Sequence, residues 1–277
     1  MKLRKGRSFL GYMLAGAAML LLFLYLRFPG DAAKNYLKRC QTEHFPNLII
    51  VIDAVEPSVP PGITIENLTA ALRERPEATI HADRLVIAPG WLSFFRGRFS
   101  FLAKASGYGG EISGKSEFSQ TFSLKGPFSA TAEFKGMRLE KCLYLQDFFS
   151  RQISGTLKGS FSFNGVTGAL KNGSGKLDAA ITNGNYQLSE NIWGFDRISF
   201  NRVDLKMELR NNVLRIAELR VNGDKLSITL KGNILLADDF KNSRMDLSGS
   251  AEIQGLGGRR VPITIGGAIG NPTIKTM

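Results

Sequence analysis

From about residue 47 onward, apolar and polar positions alternate with period two, the spacing of strands that turn one face to a core and the other to water. Val203, Leu205, Met207 and Leu209 alternate with Arg202, Asp204, Lys206, Glu208 and Arg210. Leu226, Ile228 and Leu230, then Ile234 beyond Gly232, alternate with Lys225, Ser227, Thr229, Lys231 and Asn233. Met245, Leu247, Ala251 and Ile253 alternate with Asp246, Ser248, Ser250 and Glu252. Earlier stretches repeat the pattern at Phe118/Phe122/Leu124, Phe128/Ala130/Ala132/Phe134 and Leu157/Phe161/Phe163. The strings KNGSG, TNGN, RNN and VNGD read as turns between strands. Between Leu214 and Val221 the apolar phase slips near Ala217–Glu218, which predicts a β-bulge.

Helical segments are few. Ala32–Cys40, Trp91–Phe95 and Met137–Ser150 are the candidates in the body. Phe9–Leu26 is different: 18 uncharged, mostly apolar residues, about the minimum for a bilayer-spanning helix. It exceeds a usual signal-peptide core and runs into RFPGDAAK without a small-x-small cleavage site, so it is expected to stay as an anchor. Lys2, Arg4, Lys5 and Arg7 precede it and favour a cytoplasmic amino terminus with the body exported. The expected organisation is a leader and anchor over 1–28, a juxtamembrane helix and linker over 29–46, and a β-domain over 47–277.

About a dozen antiparallel strands at ~4.8 Å spacing make a sheet ~60 Å wide, and open sheets beyond ~10 strands curl or split. Each strand has an apolar face and too few helices exist to cover it. The fold class is therefore mostly β, either closed as a sandwich or curled into a gutter or half-pipe with an apolar lining. In a gutter, Val203, Leu205, Met207, Leu209, Leu226, Ile228, Leu230, Met245, Leu247 and Ile253 line the groove. An empty gutter exposes more apolar surface than monomers usually tolerate, which calls for an apolar ligand or a second chain.

Composition adjusts this picture little. Hydrophobic residues make up 43% and charged residues 22% of the 277, which excludes wholesale disorder. The net charge is +12, and five of the basic groups lie in residues 1–28, leaving 31 basic against 24 acidic residues in the body. That balance suits an anionic membrane surface, lipopolysaccharide or a cell-wall polymer, or serves solubility alone. Nucleic acid is the weakest partner, because no run of Lys/Arg interleaved with aromatics occurs.

Chemistry is scarce. His44 and His81 are the two histidines and neither has metal-ligand spacing. Asp238–Asp239 reads as a solvated turn. GGEISG and GGAIGNP follow no strand–loop–helix pattern, so phosphate cradling is not expected. No nucleophile, base and oxyanion set emerges, and the chain is read as a non-enzyme without cofactor or metal. Cys40 and Cys142 permit one disulfide in an exported body; the alternative is two small buried hydrophobes.

The anchor, the amphipathic strands and the string LVIAPGWLSFFRGRFSFLAKASGYGGEISGKSEF (85–118) together resemble the AsmA-like proteins of Gram-negative envelopes. In that family a strand leads to a short Leu-Leu-x-Gly element and a Gly-Gly hairpin; Trp91–Gly97 and Gly109, Gly110, Ile112 and Gly114 fill those places. The closing stretch (198–236, then LSGSAEIQG and VPITIGGAIGNPTIK) is similar as well. At this size, with a single anchor followed by YLRFPGDAAKNYL, the sequence most resembles the protein N family of type II secretion. The resemblance implies a curled sheet and an accessory inner-membrane component with a periplasmic β-domain that contacts other secretion subunits or lipid. The alternative it implies is a lipid-binding or lipid-transfer protein whose groove holds acyl chains.

Overall fold

The computed structural model of the protein describes residues 11–276, apart from 14, 17–18, 21, 24, 45, 74, 95–96, 120–125, 150, 170–171, 193–194 and 254–258. Fifteen strands form one antiparallel sheet: β1 (Leu48–Val51), β2 (Ala54–Ser58), β3 (Gly62–Leu72), β4 (Arg75–Pro89), β5 (Phe99–Gly107), β6 (Gly110–Phe118), β7 (Pro127–Arg138), β8 (Ile153–Val166), β9 (Ser174–Ile192), β10 (Phe195–Arg210), β11 (Val213–Asn222), β12 (Leu226–Leu235), β13 (Arg244–Ile253), β14 (Arg259–Ala268) and β15 (Asn271–Thr276). From β3 to β15 each strand pairs with the next in sequence. β1 and β2 share the outer edge of β3 in one continuous register, Leu48 opposite Leu72 and Ser58 opposite Gly62, so they act as one interrupted strand. All strands lie in a single sheet, and contacts between elements are mainly those of sequential strands. The sandwich is thereby set aside, and the sheet stays open.

Local chemistry explains the hairpins. The β5–β6 turn is Tyr108–Gly109 with φ of 55° and 74°, and the β10–β11 turn is Asn211–Asn212 with φ of 47° and 66°. Both are type I′-like two-residue hairpins, which require positive φ at both positions, and Asn and Gly supply it at least cost. The expected bulge is present: Ile216 pairs with Met207 and Glu218 with Lys206, leaving Ala217 as the extra residue.

Three expectations change. TNGN (182–185) is no turn but lies inside β9; Asn183 takes φ 51°, and Gly184 lets the Phe200 ring lie where a Cβ would stand, 2.6 Å from it. Met137 and Arg138 complete β7, followed by a 3-10 turn at Leu139–Lys141 and a helix over Leu143–Phe149 rather than one continuous helix. The helix expected over Ala32–Cys40 runs longer, Gly30–His44. It rests Ala33 and Leu37, together with Phe28, on the buried cluster Ile52, Val55 and Ile65. The Lys34 ammonium donates to the Asp53 carbonyl at 2.8 Å and the Gln41 amide to the Leu48 carbonyl. These contacts run the helix antiparallel to β1–β2.

Of the expected anchor, residues 11–13, 15–16, 19–20, 22–23 and 25–26 are helical, and the rest of 9–26 lies outside the described residues. Among the described residues no helix is long and apolar enough to cross a membrane.

Candidate functional site

Strand register brings the apolar residues of successive strands into rows across one face. One row runs Val55, Ile65, Leu85, Ala105, Ile112, Phe134, Gly159, Ala179, Leu205, Leu219, Leu230, Gly249 and Ile263. The ten expected lining residues all fall on this face: Val203, Leu205, Met207 and Leu209 stand opposite Val221, Leu219, Ile216 and Leu214, while Leu226 faces Ile253, Ile234 faces Met245, and Gly232 faces Leu247. Ile228 and Leu230 continue the rows to Ala251 and Gly249.

Sharing a face does not make all ten a lining. Leu226, Leu230, Leu247 and Ile253 are buried, as is Val203. They pack into two clusters that draw residues from β10 through β14, around Leu226–Ala251–Ile253–Ile263 and around Ile216–Ile234–Leu247. Among the described residues no element crosses over them, so in this half the described sheet buries its own apolar face by side-chain interdigitation. Leu205, Met207, Leu209, Ile228 and Met245 are half-buried at the margins.

The more exposed part of the face lies on β5–β8, away from the ten expected lining residues, which stand on β10, β12 and β13. Its centre is built of small side chains: Ala103, Gly114 and Ala132 form one cross-strand row, and Ser116 and Ala130 stand in the next. Phe118 and Phe128 wall one side and Ile112 and Phe134 the other. At the far end stand Phe161, 36% exposed, and Phe163. The phenylalanines form a ladder: Phe99–Phe101 at 4.7 Å, Phe101–Phe118 at 6.3 Å, Phe118–Phe128 at 5.7 Å, Phe128–Phe163 at 5.6 Å and Phe163–Phe161 at 6.3 Å between ring centroids. Such separations are attractive for offset and edge-on rings. Phe163 is held down by glycines, since a Cβ at Gly173 or Gly165 would come within 2.4 or 2.6 Å of its ring. The result is a trough of backbone and methyl groups between aliphatic and aromatic walls.

The opposite face is polar and laced with ion pairs, among them Lys104–Glu111 at 2.7 Å, Lys176–Glu208 at 3.5 Å and Arg220–Glu218 at 2.7 Å. The Arg202 guanidinium, 2.7 Å from Asp204, holds that carboxyl below the usual carboxylate range; Lys115 does the same to Glu117. An open hollow of about 720 Å³ spans β6–β10. Of its apolar members, Gly114, Ala132, Phe161, Leu177 and Met207 form one row, and Ala217 is the bulged residue of β11. The side chains that bound it are those of the polar face, with a Ser/Thr floor at Ser113, Thr131, Ser160 and Ser162. The hollow thus has a central row from the apolar face flanked by side chains of the polar face.

His81 sits on β4 with its ring between the Thr69 hydroxyl at 3.1 Å and the Asp83 carboxylate at 3.2 Å; His44 ends the Gly30–His44 helix. Among the described residues no group of three His, Cys, Asp or Glu could hold a metal. Asp239 caps the 3-10 turn Phe240–Asn242 by accepting from the Lys241 N–H at 3.1 Å. No disulfide joins Cys40 and Cys142. Cys40 neighbours Tyr36 on its own helix, whereas Cys142 lies beside Tyr108 at the β5–β6 hairpin.

No family model, no curated protein and no solved structure matches this chain.

Proposed function

We propose that the chain is a membrane-anchored envelope protein whose sheet receives apolar chains, the acyl tails of lipids first among them. One observation carries this reading: among the described residues no element covers the apolar face over β5–β8, and its middle is a trough of Ala103, Gly114, Ala130 and Ala132 between hydrophobic walls. An extended polymethylene chain needs length, an apolar bed and no hydrogen-bond partners, and each CH₂ withdrawn from water contributes ~0.8 kcal/mol. The anchor at Phe9–Leu26 and the likeness to AsmA-like envelope proteins support placement at the bacterial inner membrane with the body periplasmic.

A second reading is an accessory component of the type II secretion apparatus, with the same face contacting other subunits. The width of the sheet favours it over long-range lipid transport: about fourteen rungs at ~4.8 Å give ~67 Å, in a body held close to one membrane by the juxtamembrane helix. The two readings differ in what covers the trough.

The full chain in nanodiscs containing a phospholipid with a photoreactive acyl terminus separates them. Adducts on the β5–β8 apolar face, at Phe128, Ala132 or Phe161, are the expected result. Adducts confined to residues 9–26 would overturn the acyl-chain reading and leave the protein-contact reading standing.

A further inference from the structure

We infer that β15 is a pairing edge: two copies of the chain join antiparallel along it, Ile274 opposite Ile274, into one sheet of doubled width. The inference stands apart from the acyl-chain reading and does not depend on what fills the trough.

An open sheet has two edges, each a row of backbone groups that invites another strand. The two edges of this sheet differ. At β1–β2 the Gly30–His44 helix lies along the edge: Lys34 donates to the Asp53 carbonyl at 2.8 Å and Gln41 to the Leu48 carbonyl. Gly30 sits so close that a Cβ there would stand 2.5 Å from the Val55 carbonyl. A strand added at that edge would have to displace the helix. Among the described residues nothing comparable protects β15. Its one strand partner there is β14, and every residue from Asn271 to Lys275 is exposed. Head-to-tail growth needs both edges, so the covered one restricts pairing to β15 against β15, an isologous contact that closes after two copies.

Register fixes which backbone groups β15 turns outward. The Ile269 N–H donates to the Ser243 carbonyl at 3.0 Å, one step beyond the Ala268–Arg244 rung. Hydrogen-bonded positions alternate along a strand, so Gly267, Ile265 and Ile263 bond toward β13, and Ala268, Gly266 and Thr264 toward β15. Their partners Asn271, Thr273 and Lys275 turn their backbone groups to β14. Pro272, Ile274 and Thr276 face out. Ile274 and Thr276 each offer a backbone donor and acceptor, and Pro272 only its carbonyl.

This set is self-complementary in one register. With Ile274 opposite its own copy, the two isoleucines exchange both hydrogen bonds, and each Thr276 N–H donates to the Pro272 carbonyl of the other copy. The donor that Pro272 lacks then falls at the end of the ladder, where it costs least. Sliding one copy by two residues either loses bonds at Pro272 or sets Lys275 directly against Lys275, and like charges so opposed are destabilising. In the favoured register Lys275 stands opposite Thr273. Ile274, 44% exposed in the single chain, lies against its counterpart and beside Ile265 of β14, so the apolar face runs on across the junction. Pro272 and the shortness of β15, six residues, discourage any longer ladder.

The test uses the full chain, in bacterial membranes and in detergent. Ile274→Cys, in a background of Cys40→Ala and Cys142→Ala, should form a disulfide-linked dimer on mild oxidation. Hydrogen-bonded partners lie ~5.5 Å apart between Cα atoms, within disulfide reach. Thr273→Cys and Lys275→Cys should each cross-link about tenfold less alone, since each stands two residues from its own copy along the ladder, beyond ~7 Å between Cα atoms. Co-expressing those two variants should restore the linkage. Ile274→Pro removes only an outward donor, so the chain should stay folded and sediment as a monomer where the parent sediments as a dimer. Equal cross-linking at all three positions alone would overturn the register and with it the inference; this readout does not rely on the proline variant. A parent chain that stays monomeric at every concentration would overturn it as well, as would a dimer untouched by Ile274→Pro, which places the interface elsewhere. A cross-link from Ile274→Cys to a polypeptide of different mass would assign the edge to another protein, also overturning it.

Discussion

The backbone N–H of His81 donates to the hydroxyl oxygen of Tyr108 at 2.6 Å. β5 pairs with β4 only from Arg84 onward, so the earlier part of β4 overhangs without a ladder partner on that side. Tyr108, held at φ 55° in the β5–β6 turn, closes the first open donor of the overhang. Tyr108→Phe removes that acceptor and should cost about 1–2 kcal/mol, read as a shift in urea midpoint at unchanged slope. Burial raises the Tyr108 phenol above its ordinary value. The stability linked to it is therefore complete below ~pH 10 and is lost as pH rises from there through the folded value. Tyr108→Phe should flatten the alkaline limb of the stability curve; an unchanged limb would assign the linkage elsewhere.

A glycine and an aromatic ring define the second test. A Cβ at Gly173 would lie 2.4 Å from the Phe163 ring, and the ring cannot move without leaving Phe128. Gly173→Ala should destabilise by about 1–3 kcal/mol and Phe163→Ala by about 3–5 kcal/mol. In the double variant the clash has no ring to meet, so the combined loss should fall short of the sum by at least ~1 kcal/mol. Additive losses would show that Gly173 is required for its backbone and not for the ring.

These residues show what sequence alone conveys. Period-two alternation places strands correctly at β7, β8 and β10 to β13, because a half-buried antiparallel strand has no other way to distribute its side chains; the alternation read over Phe118, Phe122 and Leu124 runs past the end of β6 into residues outside the described ones. The slip at Ala217 is legible for the same reason. TNGN misleads because Asn and Gly favour positive φ in turns and in strand irregularities alike; only Phe200 settling over Gly184 distinguishes them. The lining residues illustrate a deeper limit. Alternation assigns Leu226, Leu230 and Leu247 to a face but cannot tell whether that face is open, since self-burial depends on how far the sheet curls. The trough on β5–β8 escapes for the opposite reason: Ala103, Gly114 and Ala132 barely register as hydrophobic, and their meaning is the space they leave.

Ser243 offers a stability test away from the site. It is fully buried, and its hydroxyl accepts the Ala237 N–H at 3.0 Å, bracing the β12–β13 connection. Ser243→Ala should cost about 1–3 kcal/mol by orphaning that donor, and amide exchange should accelerate at Ala237 before it does in β12. Uniform acceleration across the sheet would show that the connection opens only with global unfolding.

Acid should weaken the polar face in a defined way. Arg202 holds the Asp204 carboxyl below its ordinary value. The stability from this contact is present above the ordinary carboxyl range, near ~pH 4, and is lost as pH falls through the lower folded value. Arg202→Gln should separate from the parent chain at pH 6 and converge with it in acid. A gap that persists at pH 2.5 would mean that the arginine stabilises by packing its stem, since the pair itself is exposed and screened.

The sharpest contrast sets Leu230 against Phe161, two residues of the same apolar face in different surroundings. Leu230 is 4% exposed within the self-buried half, and Phe161 is 36% exposed at the end of the trough. A carboxylate at Leu230 has no partner and no path to water, and burial of an unpaired charge costs several kcal/mol; Leu230→Asp should unfold the body. Phe161→Asp forfeits about 1–2 kcal/mol of apolar contact while its charge reaches solvent, so the chain should remain folded. It should nevertheless lose binding of a fluorescent fatty-acyl probe, because the trough then ends in a charge. A folded Phe161→Asp chain that binds the probe as well as the parent would remove the trough as the acyl site, and unfolding of both variants alike would show that the β8 end of the face is as closed as the rest.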